Sequence, residues 1–356
     1  MLRRTCAFMS IAFALSLYAA TVAATTAKRT FVAADPLGND ANACSIAAPC
    51  RGFARAITQT SVGGEVIVLD SAGYGAVTIT KSVSIIAPAG IYAGISVLSG
   101  DGVTVNAGAT DTVVLRGLTI NGQGGANGIT INNALMVHVE NCVIANMGDK
   151  GIDQVAGTLD VKDTIVRDGV WGIFVQAPGQ ANLDHVRIEG NATGVAAEYG
   201  GKIAMQDSLV TRSSNIGVVA NNPTISGSQV TISRSLISSN NYGVYVDANN
   251  GSNVAIVTIS DSTITQSNVA IHVTSNGDPS YSGRARLTNN TVSGNGRGVQ
   301  IVANGWTSIG NNNLLDNQGW DVTDDATCVI ETLNNNLKGG ASGGYFPSTV
   351  IPMTTI

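Results

Sequence analysis

One short pattern is written nine times between Leu115 and Leu314. Each copy opens on an apolar residue and carries another five positions later: Leu115/Ile120, Val139/Ile144, Val161/Val166, Leu183/Ile188, Met205/Val210, Ile232/Ile237, Ile259/Ile264, Leu287/Val292 and Ile309/Leu314. Successive copies begin 24, 22, 22, 22, 27, 27, 28 and 22 residues apart. A second mark follows eleven to thirteen residues after each start: Gly128, Gly151, Gly172, Gly194, Gly217, Gly243, Ala270 and Gly298, with Trp320 in the ninth place. After most of these comes apolar–x–apolar, as in Gly243-Val244-Tyr245-Val246. Self-similarity at this period means a solenoid. The alternation is of period two and the units end in Gly and Asn, so they are strands. A unit this short cannot bury its apolar face alone, so each coil must lie on the one before, at about 4.8 Å per coil.

The third position after each start runs Leu118, Cys142, Thr164, Val186, Ser208, Ser235, Ser262, Asn290, Asn312. This is the expected inward column at a bend, where stacked Ser and Asn hydrogen-bond to one another or to backbone. The apolar–x–x–Asn/Ser–x–apolar unit with its later Gly-Val-x-Val resembles the repeat of the right-handed, pectate-lyase-like parallel β-helix superfamily, over roughly residues 60 to 325. The fold expected is therefore all-β, a single right-handed parallel β-helix of about ten coils; the chirality rule for parallel connections gives the same hand. The resemblance implies architecture more than activity, because the scaffold serves lyases, hydrolases, epimerases and non-enzymatic proteins alike. The Gly-His-Gly and Arg-x-Lys marks of polygalacturonases, the Asp-Pro-His-Asp of alginate epimerases and the Trp-Ile-Asp-His of pectate lyases are missing.

Residues 1–24 read as a signal peptide: Arg3 and Arg4, the apolar run Ala7 to Ala20, then Val22-Ala23-Ala24. A secreted fate, periplasmic or extracellular, is expected, with no integral membrane segment. Residues 25–60 read as an entry segment with an isolated strand near Phe31-Val32 and a short helix from Arg51 to Gln59, whose Phe53, Ala56 and Ile57 share a face that caps the solenoid's open end. Gly38-Asn39-Asp40-Ala41-Asn42 and Pro49-Cys50-Arg51-Gly52-Phe53 resemble the entry segment of secreted β-helix proteins. Cys44 and Cys50 enclose five residues and read as a disulfide in an exported chain, with a metal pair the weaker alternative. Cys142 reads as a small buried residue, and Cys328 has no evident partner. The β-helix is expected over 61–337. A tail over 338–356 either folds back, through Tyr345-Phe346-Pro347 and Val350-Ile351, as a second cover or stays disordered. A monomer is expected.

Charged residues are only 12% of the chain and net charge is −5, with no basic run, which argues against nucleic acid. An acidic polysaccharide would need calcium as a bridge, and no other cofactor is expected. Gly340-Ala341-Ser342-Gly343-Gly344 lacks the strand and helix of a nucleophile elbow. His138, His185 and His272 lie in separate coils without metal spacing, so no metal is expected.

What remains is the outward stripe. On the strand after each glycine, the second and fourth residues should face solvent. The second gives Thr130, Asp153, Phe174, Ala196, Val219, Tyr245, His272 and Gln300; the fourth gives Asn132, Val155, Gln176, Glu198, Asn221, Asp247, Thr274 and Val302. Aromatic faces suit sugar rings and carboxylates suit hydroxyls or acid–base work. Three consecutive long coils carry their extra residues after this stripe, in Asn222–Gln229, Ala248–Ala255 and Ser275–Ala285, as a wall beside a binding face would. The expected site is centred on Asp247, His272 and Glu198 as catalytic groups. Tyr245, Phe174, Asp153 and Gln176 would hold substrate, with Arg284 and Arg286 for a uronate. Glu198 and Asp247 should stand two coils apart in one column, about 9–10 Å, at the upper edge of the gap that inverting glycosidases leave for a water. The reading is thus a secreted protein that binds a polysaccharide or cell-surface glycan and, if it breaks a bond, is a polysaccharide lyase or inverting glycoside hydrolase. The competing reading is a non-catalytic envelope or surface protein that uses the solenoid as a rigid scaffold.

Overall fold

The computed structural model describes residues 26–221, 227–248, 254–275, 283–325, 327–333, 335–339 and 350–352. Strands follow one another around three faces. They form parallel sheets of 14, 12 and 11 strands, each strand paired with its equivalents one turn earlier and one turn later. A representative turn runs Thr158–Lys162 in the 14-stranded sheet, Ile165–Arg167 in the 12-stranded sheet and Trp171–Gln176 in the 11-stranded sheet. The nine sequence repeats fall in register. Val161 pairs with Leu183, Leu183 with Met205, Met205 with Ile232 and Ile232 with Ile259. The partner column runs Val166, Ile188, Val210, Ile237, Ile264. Every member of the nine pairs is buried, at most 2% exposed, in one continuous core.

Each turn has two corners, and the chemistry of both is in the sequence. The residue entering each corner takes a left-handed backbone: Asp163 and Asp168 in the turn above, at φ 49° and 58°. These positions fall often to Asn, Asp or Gly, which tolerate that region. Just inside the first corner lies the expected polar column. The backbone N–H of Ser208 donates to Ser235 Oγ (3.2 Å), Ser235 N–H to Ser262 Oγ (3.1 Å), Ser262 N–H to Asn290 Oδ1 (3.0 Å) and Asn290 N–H to Asn312 Oδ1 (2.9 Å). Cys142 sits in the same column, buried, its own N–H on Thr164 Oγ1.

A second column inside the other corner does the same work. Ser213 N–H donates to Asn240 Oδ1 (2.8 Å), Ser267 N–H to Asn295 Oδ1 (2.9 Å) and Asn295 N–H to Asn317 Oδ1 (3.2 Å). Two ladders thus satisfy backbone donors that the bends release from the sheets, which would otherwise be buried without partners. The glycine column marks a close approach. A Cβ at Gly172 would lie 2.4 Å from the carbonyl oxygen of Gly194, and one at Gly243 2.5 Å from that of Ala270. In the ninth turn that place belongs to Asp321, not Trp320. Val299 pairs with Val322, and the corner there is one residue longer than the repeat suggested, which turns Trp320 outward one step earlier.

The helix is Phe53–Gln59, with Phe53, Ala56 and Ile57 buried against the first turn and the Phe53 ring 5.1 Å from that of Tyr74. The strand before it is not isolated. Ala27–Val32 pairs in parallel with Thr60–Val68 and begins the 14-stranded sheet. Its outer edge is closed by the loop that the Cys44–Cys50 disulfide cinches, through Phe31 N–H on Cys44 O and Cys50 N–H on Phe31 O. At the far end, Leu337–Gly339 extends the 12-stranded sheet. Val350–Pro352 pairs with Val329–Thr332, adding an edge strand whose Ile351 is exposed rather than laid over the core. Residues 1–24, most of the Gly339–Gly344 link and Tyr345-Phe346-Pro347 lie outside the described residues. Among the described residues no helix is long and apolar enough to cross a membrane.

Two stability outcomes follow from the columns. Ile237 is fully buried between Val210 and Ile264, so Ile237→Ala should lower the unfolding free energy by about 2–5 kcal/mol in denaturant titration. A change below about 1 kcal/mol would contradict the register. Asn290→Ala removes the acceptor of the Ser262 N–H, a link in the first ladder, and should cost about 1–3 kcal/mol, the desolvation of a stranded buried donor. Thr288→Ala, at an exposed strand position outside the ladder, should cost under about 0.5 kcal/mol.

Candidate functional site

The outer face of the 11-stranded sheet carries three side-chain columns, because in-register pairing puts equivalent residues one above another. The first runs Lys150, Trp171, Thr193, Ile216, Tyr242, Val269, Arg297. The second runs Thr130, Asp153, Phe174, Ala196, Val219, Tyr245, His272, Gln300. The third runs Gln176 beside Glu198, then Asn221, Asp247, Thr274 and Val302.

This stripe is not the open solvent face that alternation alone suggested. Phe174, Ala196, Val219, Asp247, Thr274 and Thr130 are each under 9% exposed. Stacking at one turn's spacing lets bulky outward groups cover small ones. Phe174, Ala196 and Val219 form a second apolar cluster outside the main core, flanked by Trp171, Ile216 and Tyr245.

Tyr245 and His272 come together as the register demands, their rings stacked with centroids 4.9 Å apart. Tyr242 meets both edge-on, at 5.4 and 5.5 Å. His272 Nδ1 lies 3.2 Å from Gln300 Oε1. An amide oxygen only accepts, so Nδ1 carries the proton, and in the neutral ring Nε2 is left as the lone-pair acceptor. Burial lowers the His272 pKa, and Arg297 nearby adds to this, so the ring is neutral at neutral pH. Burial, with the Asp247 charge beside it, pushes the Tyr245 hydroxyl up to about 12. Burial also raises Glu198.

Glu198 and Asp247 stand two turns apart in one column, with an amide side chain on the turn between them. The intervening turn presents Asn221, whose Nδ2 lies 3.5 Å from Glu198 Oε1 and which pairs with Asp247 on the other side. Asn221 had no role in the sequence reading; its place in the same column was the available signal. Asp153 and Phe174 lie several turns toward the N-terminal end, held by Lys150, whose ammonium is 3.7 Å from Asp153 and 5.3 Å from the Phe174 ring centroid. Burial raises the Asp153 pKa, and its buried Oδ1 has no hydrogen-bond partner among the described residues.

Arg284 and Arg286 are not on this face. They belong to Arg284–Thr288 of the 14-stranded sheet, where both guanidiniums lie over Trp306, at 5.6 and 5.8 Å. Val269–Thr274 belongs to the 11-stranded sheet and the next strand, Arg284–Thr288, to the 14-stranded sheet, so chain proximity to the stripe did not mean spatial proximity. The long-coil segments 222–226, 249–253 and 276–282, which held the expected wall, lie outside the described residues.

At the C-terminal end of the stripe, Arg297, Gln300, Trp320, Thr323 and Asp324 line a depression of about 470 Å³. Elsewhere, the fold brings His185 to Asp184 (2.7 Å) and near Asp207, a grouping the separate coils had hidden. Lys162 and Arg234 already pair with these two carboxylates.

The chain belongs to the family described as right handed beta helix region, whose model matches residues 101–282, just over half of the 356 residues. Its turns are therefore right-handed. Among solved structures, it resembles the A-modules of two Azotobacter vinelandii mannuronan C-5 epimerases. With that of AlgE4 the TM-score is 0.64 at 12% identity, over 82% of this chain and 91% of that one. With that of AlgE6 it is 0.58 at 14%, over 82% and 90%. A complex of XylC with xylose matches at TM-score 0.55 and 10% identity, over 77% and 69%. At these identities the likeness shows the shared fold. No protein of curated function matches the chain in sequence.

The His272 environment makes a signed prediction. Its pKa in the folded chain is below the ordinary 6.5, so the unfolded chain takes up the proton first as pH falls. The stability tied to this ring is complete above about 6.5 and is lost as pH drops through and below that value. A nuclear magnetic resonance titration should place the His272 midpoint below 6.5. Gln300→Leu should move it further down, since that hydrogen bond favours the charged ring. A midpoint at or above 6.5, or an upward move in the variant, would contradict the burial argument.

Proposed function

We propose that this is an exported protein that binds a polysaccharide along the outer face of the 11-stranded sheet. One observation carries the reading: a run of half-buried aromatic rings, Trp171, Tyr242 and Tyr245, lies beside a polar column of Gln176, Glu198, Asn221 and Asp247. Sugars present just this pairing of an apolar ring face and a rim of hydroxyls. The epimerases whose fold it shares are named for mannuronan, and the XylC complex holds xylose, which supports carbohydrate as the ligand class. The Cys44–Cys50 disulfide agrees with an oxidising destination.

The chemistry this face is equipped for is proton transfer rather than hydrolysis. The column sets an amide, Asn221, between the two carboxylates, whereas neutral His272 offers Nε2 as a base beside the protonated Tyr245 ring. In an acidic sugar such a pair would remove the proton α to the carboxylate and protonate the departing oxygen, leaving an unsaturated product.

The test is calorimetric titration of the folded protein with soluble mannuronan, xylan, pectate and glucan, together with ultraviolet detection of unsaturated product. Tyr245→Ala and Glu198→Gln should each weaken binding about tenfold, the worth of one ring contact or charged hydrogen bond. Arg286→Ala, on a different sheet, should change nothing. Any product found should vanish in His272→Ala while binding persists. Absence of binding across the panel, or equal losses in Arg286→Ala and Tyr245→Ala, would overturn the proposal.

A further inference from the structure

The first column of the face repeats along the solenoid axis. Trp171, Tyr242 and Trp320 occupy equivalent outward positions three turns apart. Register pairing runs unbroken from Trp171 through Thr193 and Ile216 to Tyr242, and on through Val269 to Arg297. The Val299–Val322 pairing sets Trp320 beside Arg297 on the next turn, and Gly298 N–H donates to Trp320 O at 2.8 Å. The first two rings are built alike. Each has a second aromatic three residues on that meets it edge-on: Phe174 at 5.3 Å and 79°, Tyr245 at 5.4 Å and 82°. Trp320, 41% exposed, borders the depression at the end of the face. Of the side chains that separate the rings, Thr193 and Val269 are buried and Ile216 is half-buried, while Arg297 is exposed and stands between Tyr242 and Trp320 as a donor for sugar hydroxyls.

Three turns at about 4.8 Å make about 14 Å between successive rings. An extended, equatorially linked pyranose chain advances roughly 5 Å per sugar, close to the rise of one turn. Resting on the glycan-binding reading above, we infer that the face is a ruler for a linear glycan lying parallel to the solenoid axis. One sugar sits over each turn, and every third sugar stacks, on Trp171, Tyr242 and Trp320 in succession. The ligand class is an extended polysaccharide that advances about three residues between successive stacking rings, rather than a branched or compact glycan. The full face takes about seven residues, the span of six turns.

The experiment uses size-fractionated oligosaccharides of two to nine residues from whichever polymer of the panel binds, titrated into the full chain and three variants. In the parent, affinity should rise in two steps of about tenfold, as the ligand reaches about four and then about seven residues. Trp320→Ala and Trp171→Ala should each abolish the second step and keep the first. Tyr242→Ala, which removes the shared middle ring, should abolish the first. Trp171→Tyr should restore the step lost in Trp171→Ala, which separates loss of a stacking surface from a folding defect. Affinity that rises smoothly with length, that stops rising at three residues, or that falls by one factor at every length in all three variants would overturn the ruler while leaving polysaccharide binding intact. Absence of binding by every polymer would overturn both.

Discussion

Everything in this molecule depends on the turns being in register. A parallel strand pair joins each residue to its equivalent one turn on, so a turn satisfies its backbone only by borrowing the next turn's donors and acceptors. The corners threaten this arrangement, because there the backbone leaves the sheet and its N–H groups point into a dry interior. The two polar ladders answer it. Ser and Asn at the first corner, and Asn and Ser at the second, carry an oxygen to the N–H of the turn before. Buried polar side chains here are the condition for closing the coil, and the apolar columns between them supply the burial that holds it shut.

Register also builds the outer face. Equivalent positions stack in straight columns, so three residues far apart in sequence act as neighbours: Phe174, Ala196 and Val219 as an apolar strip, Tyr245 and His272 as a stacked pair. The stacking that makes the pair also tunes it. Partial burial keeps the imidazole neutral and the phenol protonated.

Much of the architecture was legible in the sequence because the repeat spells out its own register. Leu183, Met205, Ile232 and Ile259 announce their pairing by spacing alone, and the first polar corner by its Ser and Asn. The second corner was equally written, as Asn191, Ser213, Asn240, Ser267, Asn295 and Asn317, eight positions after the starts of successive copies. Its register lies past the apolar pair on which the reading was anchored, so it went unseen. The site was less legible for two physical reasons. Period-two alternation gives the direction of a side chain, not its exposure, and so placed Val219 and Asp247 in water when they are covered. Chain proximity says nothing about which sheet follows a loop, and Arg284 and Arg286, next after the longest loop, open a strand on another face. The amide that stands between Glu198 and Asp247 was in the column all along, and only a reading of charge alone passed over it.

The left-handed residue at each corner makes every turn a closed unit that begins and ends at the same azimuth. Removing the residues between two equivalent positions, such as Leu183 and Met205, would excise one turn and leave both ladders and all columns aligned. A deletion that cuts into the strands and leaves a turn incomplete shears every column beyond it, whereas turns of 22 to 28 residues stay in register, so residues between strands can be lost without doing so. Duplication or loss of whole units therefore lengthens or shortens the outer face in quanta of about 4.8 Å without redesigning its cross-section. In a protein built this way the reach of a surface is a countable property of the gene, inherited in turns rather than in residues.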